Sequence, residues 1–163
     1  MESIILCTYD QLLIPERKTA GAVCRDMKIA EDIVIEPHQV CVVSTGIKTR
    51  IPIGRHAKCY ARSGLPIKHS LMLANGVAII DADYRGEYYI QVYNFGDQLV
   101  QFERYARLTQ LEFVPTYLPE QAKYGSQDVP QLEIQCDAHI FQTFQDLYPT
   151  DRGAGKFNST WHR

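Results

Sequence analysis

The sequence contains no apolar run long enough to span a bilayer and no charged-then-apolar start of the secretory kind. Both absences lead us to expect a cytoplasmic protein without a membrane partner. Surplus charge of either sign is also missing. The chain carries 17 Lys and Arg against 19 Asp and Glu, a formal net charge of −2, whereas a general nucleic-acid binder is normally basic. Cysteine is scarce and unpatterned: positions 7, 24, 41, 59 and 136 form no Cys-x-x-Cys pair. That excludes a disulfide framework and a thiolate zinc site, and reads as buried apolar residues or free thiols in a reducing compartment. None of the five histidines falls at metal-ligand spacing, and no repeat or low-complexity tract is present.

What is present reads as short strands. The 163 residues, 45% hydrophobic and 22% charged, suit one domain with a substantial core. β-branched residues dominate 33–53, punctuated by Pro37 and Gly46, and the stretches 56–61, 71–80, 87–95 and 107–115 repeat this character. Tyr88, Ile90 and Val92 alternate with Tyr89, Gln91 and Tyr93, as a half-buried strand does. Many short strands with Gly and Pro turns predict an all-β sandwich or jelly roll. Residues 116–150 differ. A connection from Thr116 to Pro130 precedes Asp137, a candidate N-cap. Ile140, Phe141, Phe144, Leu147 and Tyr148 then follow helical spacing until Pro149. This insertion either covers a hydrophobic patch or serves a subunit interface or a protein partner.

Chemistry concentrates in three places. Asn75 to Gly86 reads Asn-Gly-Val-Ala-Ile-Ile-Asp-Ala-Asp-Tyr-Arg-Gly. In an extended segment Asp81 and Asp83 share a face and Tyr84 takes the other, unless a turn intervenes. Burying a carboxylate after Ile79-Ile80 is costly unless it is hydrogen-bonded or put to use. Upstream, Arg62 offers a fork of donors suited to phosphate, Ser63 a small hydroxyl, and Gly64 a backbone open to close approach. Near the end, Arg152-Gly153-Ala154-Gly155-Lys156-Phe157-Asn158-Ser159-Thr160 combines cations, hydroxyls and an aromatic on a Gly-rich segment able to wrap polyphosphate. Taken singly, each is also an ordinary turn or tail.

In this order the segments resemble the ordered motifs of the homotrimeric dUTPase family, over roughly residues 14–115 and 151–160. The first motif is similar to Arg25-Asp26-Met27, the second to Arg62-Ser63-Gly64-Leu65. The third is similar to Asn75 with Ile80-Asp81-Ala82-Asp83-Tyr84-Arg85-Gly86, and the fourth to Arg107-Leu108-Thr109-Gln110-Leu111. The fifth resembles Arg152 to Thr160. Ala78, Tyr105, Lys156 and Asn158 stand where that family usually has glycine. The resemblance implies an all-β, jelly-roll-like β-clip domain over residues 1–150, with a short helix in the 116–150 insertion. A mobile tail, 151–163, would close over the site. It also implies hydrolysis of dUTP to dUMP and pyrophosphate, limiting uracil in DNA and supplying dUMP for dTMP synthesis. Asp81 is then the base and contacts the deoxyribose, and Tyr84 lies beneath the sugar. Main chain from Asn75 to Ile80, arranged as a hairpin, reads uracil. Arg62, Ser63, Gly64, Gln110, Arg152, Lys156 and Ser159 hold phosphates, and Phe157 covers the base. Mg²⁺ arrives on the phosphates, with Asp26 acting through water.

Two rivals remain. A dCTP deaminase, alone or bifunctional, has a similar motif order but depends on a glutamate where this chain has Gln91, which cannot shuttle a proton. A non-catalytic nucleotide-binding regulator is the other. The resemblance further implies a homotrimer with composite sites, so that chains carrying Asp81→Asn should rescue chains truncated before Asp151.

Overall fold

The computed structural model describes residues 2–116 and 130–155. Lys156, Phe157, Asn158 and Ser159, on which several expectations fall, lie outside the described residues. The elements in order are β1 (Ile4–Thr8), a 3-10 turn (Gln11–Leu13), β2 (Arg25–Lys28), β3 (Ile33–Ile35), β4 (Val40–Ser44), β5 (Lys48–Arg50), β6 (Arg55–Ala61) and α1 (Gly64–His69). Then come β7 (Leu71–Leu73), β8 (Ala78–Ile80), β9 (Tyr89–Asn94), β10 (Val100–Phe102), β11 (Arg107–Pro115), β12 (Leu132–Cys136) and α2 (Ala138–Leu147). The all-β expectation holds. Among the described residues no helix is long and apolar enough to cross a membrane.

Among the described residues four small sheets share one core. Their orders are β2-β11-β6-β8, β4-β9-β7, β12-β1-β5 and β10-β3. Alternation sends Met27, Ala57, Cys59, Ile80 and Leu111 inward from the first sheet, joined by Leu108 at a break in register, and Val43, Leu71, Leu73, Ile90 and Val92 inward from the second. Burial keeps the inner thiols protonated, pushing Cys7 up to about 11 and Cys59 up to about 12. All five cysteines are free.

The hairpin expected over 75–80 needs correction, and its neighbours add two local details. The apolar stretch 71–80 is not one strand: Gly76, at φ +70°, turns the chain between β7 and β8. Nor do 75–80 form a paired hairpin, because β7 pairs with β9 whereas β8 pairs with β6. Leu71 and Leu73 bury on one sheet, Ala78 and Ile80 on the facing one, and the turn crosses between them. Residues 64–69 are helical despite Pro66, which falls in the first turn, where its missing N–H costs nothing.

The insertion carries more structure than its helical spacing revealed. β12 joins β1 in parallel, from Ile4 opposite Leu132 to Thr8 opposite Cys136. All of β1 is therefore buried: Leu6 points to the main core, while Ile5 and Cys7 meet Phe141 and Phe144 of α2. Asp137 caps α2 as expected, its Oδ1 accepting from the Ile140 N–H at 2.9 Å. Leu147 is exposed, leaving Phe141 and Phe144 as the buried stripe. The insertion thus covers a hydrophobic strand. Phe144 is fully buried, so Phe144→Ala should cost about 3–5 kcal/mol in urea denaturation. A loss below about 1 kcal/mol would mean that α2 does not unfold with the body.

Tyr105, standing where the family pattern has glycine, takes the glycine conformation at φ +73°. Its ring lies under the Arg104 guanidinium and its hydroxyl donates to Asp10 Oδ2 at 2.7 Å. That hydroxyl, followed by the Leu12 N–H, holds the Asp10 carboxyl below its ordinary range. Because the folded value is depressed, this contribution is present above the unfolded value of 3.8 and disappears as pH falls through the folded one. Tyr105→Phe keeps the backbone strain but removes the donor. It should lower stability at pH 7, with the deficit shrinking in urea melts taken in acid below pH 3.8.

Candidate active site

The residues singled out from sequence fall into two groups at opposite edges of the β2-β11-β6-β8 sheet. At the β2 edge, Asp26 lies directly opposite Gln110 on β11, which lies opposite Tyr60 on β6. A bulge re-aims the neighbouring residue. Arg107 pairs with Lys28, but Thr109 pairs with Met27, so the extra residue Leu108 drops into the core and Arg107 emerges on the Asp26 face. Arg107 Nη1 then reaches Asp26 Oδ2 at 3.3 Å, and Arg62 Nε reaches the other oxygen at 3.3 Å. Arg62 also donates to the Arg107 carbonyl, at 3.1 Å. One mostly buried carboxylate thus holds two guanidiniums side by side.

Beside them opens a cleft of about 400 Å³ lined by Arg62, Ser63, Gly64, Lys68, His69 and Arg107, with Phe102 and two leucines as its apolar wall. Ser63 makes no capping bond at the start of α1. A methyl at Gly64 would touch only the Lys68 stem, at 3.8 Å, so packing within the chain does not require glycine there. The cleft has a composition suited to an anion: cations converge and a backbone is left open. Phe102, packed edge-on to His69 at 4.9 Å, carried no sequence signal, because its neighbours along the cleft come from distant segments.

The second group lies past the end of β8. A turn does intervene after Asp81: the Tyr84 N–H donates to the Asp81 carbonyl at 3.2 Å. That bends Asp81 and Asp83 toward one cation, Arg152, whose Nη1 pairs with Asp81 and lies 3.6 Å from Asp83. The Arg152 guanidinium also lies 5.6 Å from the Tyr84 ring centre. The Tyr84 hydroxyl donates to the Glu87 carbonyl at 2.8 Å, and burial pushes its pKa up to about 12, so it stays a neutral donor. A Cβ on Gly86 would lie 2.6 Å from Tyr84 Cζ, which explains the glycine. Arg85 escaped the sequence reading: its guanidinium is buried and donates to the carbonyls of Ala82, Tyr84 and Tyr148. Asn75 sits exposed in the turn before β8, while the Ile80 side chain is core, leaving only its main chain for a ligand.

The two groups do not meet within one chain. Asp81 follows Ile80, which pairs with Ala57, whereas Asp26 aligns through Gln110 with Tyr60. Three strand spacings across and four residues along place the carboxylates on the order of 20 Å apart.

Comparison with known proteins decides the family. The dUTPase family model matches residues 10–161. The chain belongs to the dUTPase family. It is 33% identical over 150 residues to the deoxyuridine 5'-triphosphate nucleotidohydrolase of Desulfitobacterium hafniense, covering 90% of this chain and 86% of that one. It is 38% identical over 149 residues to the protein of the same name from Chlamydia pneumoniae, covering 90% of each. The crystal structure of dUTPase from Streptococcus mutans superposes with a TM-score of 0.67 at 34% identity, over 72% of this chain and 98% of that one. A dUTPase from phage phi11 of Staphylococcus aureus, at 22% identity and a TM-score of 0.66, shares the fold.

The residues at this cleft suit a hydrated cation better than a caged one. Among the described residues no three His, Cys, Asp or Glu side chains gather as a metal cage. Asp26 is one hard-oxygen donor already flanked by two guanidiniums, suited to the waters of a cation that keeps its hydration. Asp26 also offsets cation charge at the cleft. Asp26→Asn should therefore tighten pyrophosphate binding severalfold in the absence of divalent ions, less so at high salt. Titration calorimetry showing unchanged or weaker binding would place the influence of Asp26 elsewhere.

Proposed function

We propose that the chain hydrolyses dUTP to dUMP and pyrophosphate at a site completed between two chains of a homotrimer. Membership of the dUTPase family makes it a dUTP nucleotidohydrolase, and the observation that carries the finer reading is the separation of its two halves. A base must lie within about 3 Å of the proton it takes, or one water away, and two phosphoanhydride links cannot bridge the gap between Asp81 and Arg62. The Asp81 half of one chain must then face the cationic cleft of another, which closed three-fold symmetry supplies three times over.

In this reading Arg62 and Arg107 spread charge over the phosphates, Ser63 and Gln110 donate to their oxygens, and Gly64 lets the backbone approach. Asp81 accepts a proton from the attacking water and a hydrogen bond from the sugar 3′-hydroxyl. Arg152 has donors enough to hold Asp81 and a phosphate oxygen together, bringing base and phosphorus into one array. The Tyr84 ring lies where a 2′-hydroxyl would collide, selecting deoxyribose. Main chain between Asn75 and Ile80 reads the uracil edge. Lys156, Phe157 and Ser159 are assigned by resemblance to phosphate and base contact. Mg²⁺, bound by the phosphates and met by Asp26 through water, would neutralise charge developing on the leaving pyrophosphate. The product supplies dTMP synthesis, and removal of dUTP keeps uracil out of DNA.

Asp81→Asn should leave nucleotide binding within a few-fold while lowering turnover by about 10²–10⁴. Pyrophosphate and ammonia should be assayed separately on each deoxynucleoside triphosphate. Pyrophosphate from dUTP alone is expected; ammonia from dCTP would favour the deaminase. Near-full turnover by Asp81→Asn would remove Asp81 from the role of base.

A further inference from the structure

We infer that Glu87 is a positioning residue for sugar selection: it holds the Tyr84 ring at the depth where a ribose 2′-hydroxyl collides with it. This rests on the reading above in which Tyr84 selects deoxyribose. Steric exclusion works only against a wall that cannot recede, and Glu87 is what stands behind the wall.

The ring reaches its place by folding back over its own chain. Its hydroxyl passes Gly86, where a Cβ would run into it, and donates to the Glu87 carbonyl at 2.8 Å. Only 9% of Tyr84 stays exposed. The position of that carbonyl therefore sets how far the ring projects from the turn after β8.

The carbonyl is anchored by the corner between β4 and β5. Ser44 Oγ donates to Glu87 Oε1, as does the Gly46 N–H at 3.0 Å, and the Tyr89 hydroxyl donates to Oε2 at 3.2 Å. Donors meeting a carboxylate bind about twice as strongly as they bind a neutral acceptor. The next peptide unit is held as well. The Tyr88 N–H donates to the Ile47 carbonyl at 2.8 Å, and the Tyr88 carbonyl accepts from the Thr45 N–H at 3.2 Å and the Thr45 hydroxyl at 2.7 Å. Residues 44–47 thus grip 87 and 88 from one side. The corner cannot give way easily. Gly46 holds φ +65°, and a Cβ there would lie 2.5 Å from Cδ1 of the fully buried Leu13. Of all these parts, the Glu87 carboxylate is the one that can be altered without touching either the ring or the backbone bonds.

Specificity constants for dUTP, UTP and dTTP, read from pyrophosphate release, test this beside inhibition constants for dUDP, UDP and dTDP. In Glu87→Ala the preference for dUTP over UTP should fall about three- to tenfold, the effect of one weakened hydrogen bond. The preference for dUDP over UDP should fall with it. Preference for uracil over thymine should not move, because the base is read by main chain ahead of Asp81. Glu87→Gln should keep most of the sugar preference, since its amide oxygen still accepts from Ser44 and Gly46. Ser44→Ala, which removes one donor, should shift the preference the same way by less, and replaces Glu87→Ala if that chain does not fold. In a Tyr84→Phe background Glu87→Ala should add nothing, because the hydroxyl through which Glu87 acts is gone. Unchanged sugar preference in the folded variant, or an equal loss for all three triphosphates, would overturn the inference. Unchanged sugar preference in Tyr84→Ala would instead sink the sugar-selecting role of Tyr84, and this inference with it.

Discussion

Strand β11 is hydrogen-bonded on both edges, to β2 and to β6, and the cationic half of the site depends on that double pairing. A strand fixed on both sides cannot slide, because a slip of one residue would exchange its faces. Leu108 and Leu111 would leave the core, and Gln110 would leave the Asp26 row. The bulge is the one departure from regular pairing that this strand makes. It changes the facing of Arg107 without disturbing the register beyond it, which is how a core strand also presents a guanidinium to an exposed cleft.

The carboxylate between the two guanidiniums has a related consequence. Arg62 and Arg107 would repel each other if they converged unaccompanied, and Asp26 removes most of that cost in the unliganded molecule. An anion arriving in the cleft would meet donors whose positions are already set, so less side-chain entropy would be lost on binding. The same preorganisation requires the incoming anion to compete with Asp26, which favours a ligand with several charges over one with few.

Much of this was legible in the sequence, and the limits were physical. The motifs Arg62-Ser63-Gly64 and Asp81-Ala82-Asp83-Tyr84 stood out because polar residues there interrupt β-branched runs. Asp137 stood out as a cap by residue type, and periodicity marked Ile140, Phe141, Phe144, Leu147 and Tyr148 as one face, of which Phe141 and Phe144 are buried and Leu147 is exposed. Strand β12 did not stand out: Leu132 to Cys136 alternates weakly, since its outer face meets solvent and its hydrogen bonds go to a strand at the other end of the chain. The role of Arg85 was invisible for a similar reason. Its partners at Ala82 and Tyr84 are local, but the Tyr148 carbonyl that fixes the guanidinium comes from the insertion. Tyr105 shows the converse: sequence flagged an odd residue, and its left-handed backbone gives the reason glycine belongs there.

The parallel pairing of β1 with β12 also sets an order of events during folding. Strand β1 meets β5 early, but finds its other neighbour, β12, only after β2 to β11 have all been synthesised. Contacts this distant in sequence form late, because the loop they close must lose its freedom before the pairing repays it. Until then Ile5 and Cys7 lack their cover from α2, and a nascent chain exposes an apolar strand edge of the kind that pairs with other molecules. Arrival of Arg152 at Asp81 is thus coupled to the closing step of folding. A molecule in which that contact exists is one whose first strand has already been sealed.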